Sequence, residues 1–303
     1  MPSPFSALKS RHQPHQLFDR LMSEGKRFFA EDVAFKREIC MEKSRVFRGY
    51  FELGGELTSG RKDHKEGLYF GAELPADHPK VVEGTPMHGP NQWPDPDRYP
   101  GFKDLVLTYM EEMSQLGHRI LELVALSLGL DKDFFREEFT AEPFTPFRLF
   151  HYPSDPTGVH EEDGVQRWGV AEHTDYGVLT ILGQDDVGGL QVKKCSTGRW
   201  IAAPPIPGSF IVNIGDCLEI WTRGFYRAAP HRVLNVTGHN RMSIPFFFDP
   251  NFDCVVSPLQ DFSFQGEAPC LDSEEERQPF KYGDYILSKV LKVFPGLEKN
   301  AVK

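Results

Sequence analysis

No stretch of this 303-residue chain is apolar over the length a bilayer demands, and the opening Met1-Pro2-Ser3-Pro4-Phe5 carries no apolar core of a secretory leader. Membrane spanning and export are therefore not expected, and the cytoplasm is the default location. Cysteine is scarce. The five thiols, Cys40, Cys195, Cys217, Cys254 and Cys270, are odd in number, scattered, and include no Cys-x-x-Cys pair. Such usage argues for a reducing compartment and against a disulfide framework. Positive charge is in deficit as well: 34 Lys and Arg against 44 Asp and Glu leave a net charge of −10. With no basic surplus to release counterions from a phosphate backbone, nucleic acid is not an expected partner. The run Gly54-Gly55-Glu56-Leu57-Thr58-Ser59-Gly60 lacks the Gly-Lys-Ser/Thr ending of a phosphate loop, so nucleotide binding by that route is unsupported.

What the chain does have is apolar material: 40% hydrophobic residues and 25 Phe, enough for a sizeable core. Length alone would allow two domains, but large β folds often run as one, and a single domain over 15–303 is expected after a disordered 1–14. Leu17, Phe18, Leu21, Met22, Phe28 and Phe29 recur at helical spacing. Residues 44–101 are rich in Gly and Pro, with one short strand at Lys65-Glu66-Gly67-Leu68-Tyr69-Phe70. A long helix is expected over 102–128 on the stripe Phe102, Leu105, Val106, Tyr109, Met110, Met113, Leu116, Ile120, Leu123 and Val124, stopped by Gly129. Asp131 is placed to cap a short helix carrying Phe134, Phe135 and Phe139. From 146 to about 260 the pattern turns to short β runs: 146–152, 167–173, 178–183, 189–193, 199–202, 209–214, 217–221, 231–236 and 241–248. Such a series implies a barrel or double sheet. A last helix near 284–293, with Asp284 as its cap, closes the chain.

Chemistry concentrates inside that β region. His173 and Asp175 are two residues apart, so at the end of a strand their side chains share a face. A second imidazole, His231 behind Pro230, must arrive from another strand. Two imidazoles and a carboxylate suit a divalent iron that keeps open positions for other ligands. Arg241 and Ser243 repeat the same spacing and set a guanidinium beside a hydroxyl, a pair suited to a carboxylate. Arg241 precedes the apolar run Ile244-Pro245-Phe246-Phe247-Phe248, so its charge is expected to be buried and to need an anion. Thr174, between two candidate ligands, is expected to face away. Cys217 reads as a small buried apolar residue. His151, His160 and Glu161-Glu162-Asp163 are weaker metal candidates, because Gly158 and Gly164 frame a solvated loop.

These residues together carry a resemblance. The segment from His173 to Pro250 resembles the core of the 2-oxoglutarate- and Fe(II)-dependent dioxygenases, in the isopenicillin N synthase-like branch. Gly188-Gly189-Leu190-Gln191-Val192, Arg199-Trp200-Ile201 and Ser209-Phe210-Ile211-Val212-Asn213-Ile214-Gly215-Asp216 stand at matching intervals. Upstream, Phe147-Arg148-Leu149-Phe150-His151-Tyr152-Pro153 resembles the strand whose tyrosine contacts the 2-oxoglutarate carboxylate. The likeness spans about residues 15–292. It implies an α+β fold with a double-stranded β-helix, or jelly-roll, core flanked by N-terminal helices and a C-terminal helix. It also implies iron on His173, Asp175 and His231, with 2-oxoglutarate held by Arg241, Ser243 and Tyr152. The expected activity is an oxidoreductase that uses O2 to hydroxylate or desaturate a small organic molecule, releasing succinate and CO2 and assisted in vitro by ascorbate. The neighbourhood of Gly54–Gly60, with Asp63-His64-Lys65-Glu66, resembles the family segment that borders the active site, where either a substrate contact by His64 or Tyr69 or a surface or core role for them stays open.

The sequence departs from the pattern twice. Phe150 stands where the family often has Asn, which leaves open an iron oxidase that does without 2-oxoglutarate. The family usually opens with two β segments before its first helix, whereas this chain begins almost at that helix. A ligand-binding but inactive relative with an unpaired sheet edge therefore also stays open at this point. The only expected partner is a small-molecule substrate, and the chain is taken as a monomer.

Overall fold

The structure, a computed structural model, describes residues 14–154, 161–162, 165–235, 237–259 and 278–297. The first thirteen residues, His160 and Asp163 lie outside them. Apolar periodicity builds the helical first half. In α1 (Pro14–Phe29) Leu17, Leu21 and Phe28 share one buried stripe. α2 (Val33–Arg37) is capped by Asp32, whose carboxylate accepts the Phe35 N–H at 2.8 Å. Next come β1 (Gly49–Phe51), the small ladder of β2 (Leu57–Thr58) and β3 (Arg61–Lys62), and β4 (Glu66–Phe70), followed by the one-turn α3 (Pro79–Val82).

α4 (Phe102–Ser127) is the long helix the periodicity predicts, ending near Gly129, whose φ of 73° suits glycine at a helix exit. One member of the expected stripe is out of place: Leu123 is 68% exposed, because the helix turns its 123 and 126 positions to solvent. α5 (Phe134–Glu138) is preceded by Asp133; Asp131 instead accepts the Asp133 N–H, forming the turn before the helix and not its cap.

The β region contains β5 (Pro143–Phe144), β6 (Phe147–Tyr152), β7 (Glu161–Glu162), β8 (Val165–Gln166), β9 (Val170–His173), β10 (Leu179–Gln184), β11 (Leu190–Lys193), β12 (Trp200–Ala202) and β13 (Ile211–Ile214). Residues 217–221, read as a strand from their apolar content, instead form α6 (Asp216–Trp221). As a helix, Cys217, Leu218 and Trp221 share one buried face, and Trp221 stacks on Phe139 at 4.5 Å. Then follow β14 (His231–Val233), β15 (Arg241–Asn251), β16 (Val255–Val256), β17 (Phe280–Lys281) and α7 (Tyr282–Val293). Lys281, not Asp284, occupies the cap position of α7, and Asp284 sits in its first turn.

One sheet runs β1-β4-β6-β15-β10-β13, with β5 beside the far end of β15; the other runs β12-β11-β14-β9. Pairing within both is antiparallel. The outer edge of β1 is partly taken up by the segment after α2, where the Tyr50 N–H donates to the Ile39 carbonyl at 2.8 Å. Alternation along β15 organises the interior. Met242, Ile244, Phe246 and Phe248 belong to the buried core, and Phe248 packs so closely on α4 that a Cβ at Gly117 would lie 2.5 Å from its ring. Arg241, Ser243, Pro245, Phe247 and Asp249 point the other way, into a cavity between the two sheets. Among the described residues no helix is long and apolar enough to cross a membrane.

Candidate active site

The end of β9 and the start of β14 deliver the two histidines. Each ring is fixed by the carbonyl two residues before it: His173 Nδ1 lies 2.8 Å from the Ala171 oxygen, and His231 Nδ1 lies 3.0 Å from the Ala229 oxygen. A carbonyl can only accept, so both Nδ1 atoms donate to backbone and both Nε2 atoms are left to face another partner. Those nitrogens face Asp175, in the turn just after β9: His173 Nε2 is 4.0 Å and His231 Nε2 is 3.7 Å from Asp175 Oδ1. The other carboxylate oxygen accepts the Asn213 side-chain N–H at 3.0 Å, and the Asp175 carbonyl takes the Asp216 N–H at 2.8 Å. Burial, with His231 alongside, pulls the His173 pKa down to about 4, so its imidazole is neutral near pH 7. Burial pushes Asp175 up, but the two facing imidazoles and Asn213 outweigh it and keep the carboxylate ionised. One ligand atom from each residue lies within 4.8 Å of the others. Imidazoles oriented by backbone carbonyls, with a carboxylate oriented by an amide, form a donor set that fits Fe(II).

On β15, Arg241 is fully buried. Its Nη2 donates to Gln184 Oε1 at 3.2 Å, while Nε and Nη1 have no hydrogen-bond partner among the described residues. Its cross-strand neighbour is Tyr152, and the guanidinium carbon lies 4.7 Å from the tyrosine ring. Tyr152 and Ser243, both buried, bring their hydroxyls to 3.4 Å from each other. A buried guanidinium with idle donors beside two hydroxyls is shaped for an anion that is not part of the chain. The expected trio of Arg241, Ser243 and Tyr152 is thus brought together, on the same cavity as the two histidines and Asp175.

The cavity, about 110 Å³, also takes in Arg148, Tyr176 and Asp249, to which sequence reasoning gave no role, and Glu56 and Lys65, which fall in the segment expected to border the site but were given no part of their own. Lys65 is buried between Glu56, at 2.8 Å, and Asp63; burial pulls its ammonium down, and the two carboxylates more than restore it. Asp249 receives the Tyr282 hydroxyl at 2.6 Å, and burial pushes its carboxyl up to about 7. Strand parity was the available signal for one of these, since Arg148, Phe150 and Tyr152 alternate on β6 and share the inner face.

Other candidates fall elsewhere. Neither His64 nor Tyr69 lines the cavity; Tyr69 donates its hydroxyl to Glu56 at 2.6 Å. His151 is structural, its Nδ1 2.8 Å from Glu66 and its ring stacked on Phe29. Thr174, expected to face away, borders the cavity. Cys217 is fully buried, and burial raises its thiol well above the usual range. Phe150 fills the position of the missing Asn with a ring 4.8 Å from the Lys65 ammonium.

Comparison with known proteins gives this geometry its context. Residues 144–250 match the model of the 2OG-Fe(II) oxygenase superfamily, and residues 5–96 match that of the N-terminal region named for a non-haem dioxygenase in morphine synthesis. A probable iron/ascorbate oxidoreductase of Dictyostelium discoideum is 44% identical over 98% of this chain and 87% of its own length. The 1-aminocyclopropane-1-carboxylate oxidase of Dictyostelium mucoroides is 33% identical over 96% of this chain and 87% of its own. Among solved structures, a full-length Neurospora crassa protein in complex with alpha-KG superposes with a TM-score of 0.75 at 26% identity, covering 94% of this chain and 84% of that one. This chain belongs to the 2-oxoglutarate–Fe(II) oxygenase superfamily. It is an oxidoreductase acting on small molecules with Fe(II), 2-oxoglutarate and O2, and it has the jelly-roll core of that family. The oxidase and inactive-relative readings are not favoured.

Proposed function

We propose that this enzyme hydroxylates, or with the same machinery desaturates, a small organic molecule in the cavity between its sheets. His173, Asp175 and His231 would hold the iron; Arg241, Ser243 and Tyr152 would hold the far carboxylate of 2-oxoglutarate. The observation that carries this reading is the fully buried Arg241 guanidinium, two of its nitrogens unpartnered among the described residues, on one wall of the cavity the imidazoles also face. When bound, the metal and keto acid supply the oxidising power: O2, 2-oxoglutarate and a substrate C–H become succinate, CO2 and an alcohol.

The protein's own contribution is positional. Carbonyls of Ala171 and Ala229 fix both rings with their Nε2 atoms aimed at one point, and Asn213 keeps Asp175 turned toward them. Tyr152 and Ser243 add hydroxyl donors where Arg241 alone would leave a carboxylate oxygen short. Apolar walls from Leu182, Leu190, Val233, Pro245 and Phe247 exclude water from the reacting carbon. The thiols of Cys40, Cys195, Cys217 and Cys254, in no disulfide among the described residues, support a reducing, cytoplasmic setting. The whole chain is read as one catalytic unit working as a monomer. The test is a metabolite screen with Fe(II), ascorbate and 2-oxoglutarate. Succinate should form in step with oxidised product, and product formed without 2-oxoglutarate would overturn the assignment.

A further inference from the structure

Arg241 is not the only guanidinium on this cavity with idle donors. Arg148, on the inner face of β6, lines it too, and its buried Nε has no hydrogen-bond partner among the described residues. Among the described residues no carboxylate lies within ion-pair distance of Arg148. Glu56 is nearby but committed, its oxygens taken by the Lys65 ammonium at 2.8 Å and the Tyr69 hydroxyl at 2.6 Å. Asp249 gives one oxygen to Tyr282; among the described residues the other has no hydrogen-bond partner, but burial holds this carboxyl up at about 7, so it is only a partial counter-charge for Arg148.

The Arg148 guanidinium carbon lies 4.0 Å from the Tyr69 ring and 4.6 Å from the Phe247 ring, contributed by the strands on either side of β6. Rings that cover the faces of a guanidinium leave its in-plane N–H edge as the part that can still bind, and that edge matches a planar carboxylate. Along β6, Arg148 stands four residues from Tyr152, or about 13 Å at strand rise, so it lies beyond the seat assigned to 2-oxoglutarate.

We propose that Arg148 is the seat of a carboxylate on the substrate, and that the molecules this enzyme oxidises are small carboxylic acids. The proposal deepens the reading above and rests on it. A carboxylate anchored at Arg148 would leave the rest of the molecule to extend past Phe247 toward His173 and Asp175. The cavity then has two anion seats, one for the keto acid and one for the compound oxidised.

The test uses the full-length protein loaded anaerobically with Fe(II) and 2-oxoglutarate. Calorimetric titration compares butanoate and benzoate with butanamide and benzamide, and with methyl phosphate. Each carboxylate should bind roughly tenfold or more tightly than its amide, the difference a charge-assisted contact makes. Arg148→Gln should erase that preference while 2-oxoglutarate still binds within about twofold of the native value; Arg148→Lys should keep part of it, which separates lost charge from lost fold. Equal binding of acid and amide, no carboxylate binding by the native chain, or an unchanged preference in Arg148→Gln would each overturn the proposal. Tighter binding of methyl phosphate would overturn the carboxylate assignment. Failure of native protein to bind 2-oxoglutarate at all would instead sink the reading of the Arg241 site.

Discussion

His231 is the register partner of His173 across the β9–β14 ladder, and the two rings stand 4.3 Å apart, centroid to centroid. Two residues remote in sequence are therefore set side by side by backbone pairing alone, before any metal arrives. Asp175 completes the set from the turn that follows, where its carbonyl is tied to Asp216. A site so largely preformed should lose metal without losing its fold.

That expectation is direct to check. His173→Ala, Asp175→Ala and His231→Ala should each weaken iron binding by at least about tenfold and abolish substrate-dependent succinate release. Their melting temperatures should stay within a few degrees of the native apo-protein. Metal content after gel filtration, read beside circular dichroism melts, decides it; a variant retaining native iron content would remove that residue from the ligand set.

Arg241→Gln keeps a polar side chain of lesser reach but removes the charge. Losing a charge-assisted contact to a carboxylate costs about 2–4 kcal/mol, so the KM for 2-oxoglutarate should rise some thirty- to thousandfold. Iron affinity should hold. A KM within threefold of native would refute the role.

Gly215 marks the join between β13 and α6. A Cβ there would sit 2.2 Å from the Gly177 carbonyl oxygen, and backbone cannot rotate out of the way as a side chain can. Gly215→Ala should therefore destabilise the chain by about 1–3 kcal/mol, in the range of overpacking. Because the next N–H, of Asp216, holds the Asp175 carbonyl, iron affinity should fall too. Denaturant melts and metal titration on the same sample test both parts.

Asp249 makes stability depend on pH. Its carboxyl is pushed up to about 7 by burial, against an ordinary value of 3.8. Between those two values the folded chain holds a proton that the unfolded chain has released. Stability from this group is thus complete below about pH 4 and is lost as pH rises through 7, amounting to about 4 kcal/mol over the window. Asp249→Asn, which can still accept the Tyr282 hydroxyl, should flatten the decline in unfolding free energy between pH 5 and pH 8. An identical slope in both proteins would show that other groups carry it.

How much of this could be read from sequence follows from what kind of information each residue needs. His173, Asp175, His231, Arg241 and Ser243 declare themselves by chemical type and two-residue spacing, and the structure gathers all five. Arg148 is signalled only by its parity with Tyr152, and for Lys65, Glu56 and Asp249 which side chains enter the cavity depends on which strand lies beside which. Nothing local in Glu56 says that Lys65 will be its partner or that Tyr69 will reach it. The segment 217–221 misleads for a related reason: its apolar density suits a strand, and only the neighbouring Phe135 and Phe139, against which Trp221 stacks, favour winding it into a helix. Leu123 shows the converse limit, since helical period places it near the stripe while α4 has no neighbour there to cover it.

The unbroken pairing of β15 with β10, from Ser243 to Phe248, has a consequence for how the enzyme tolerates change. The strand acts as a ruler: six residue steps, roughly 20 Å, separate Arg241 from Phe247, and every second mark faces the cavity. Swapping the side chain on one inward mark, at Phe247 for instance, redraws one end of the pocket and leaves the Arg241 end as it was. Inserting a single residue between them is a different event. It would turn Phe247 and Asp249 toward α4 and send Phe246 and Phe248 into the cavity, a reversal no side-chain adjustment can absorb. Substrate preference in this scaffold is therefore open to substitution along β15 and closed to insertion or deletion there, so length variation must fall in the loops at its ends.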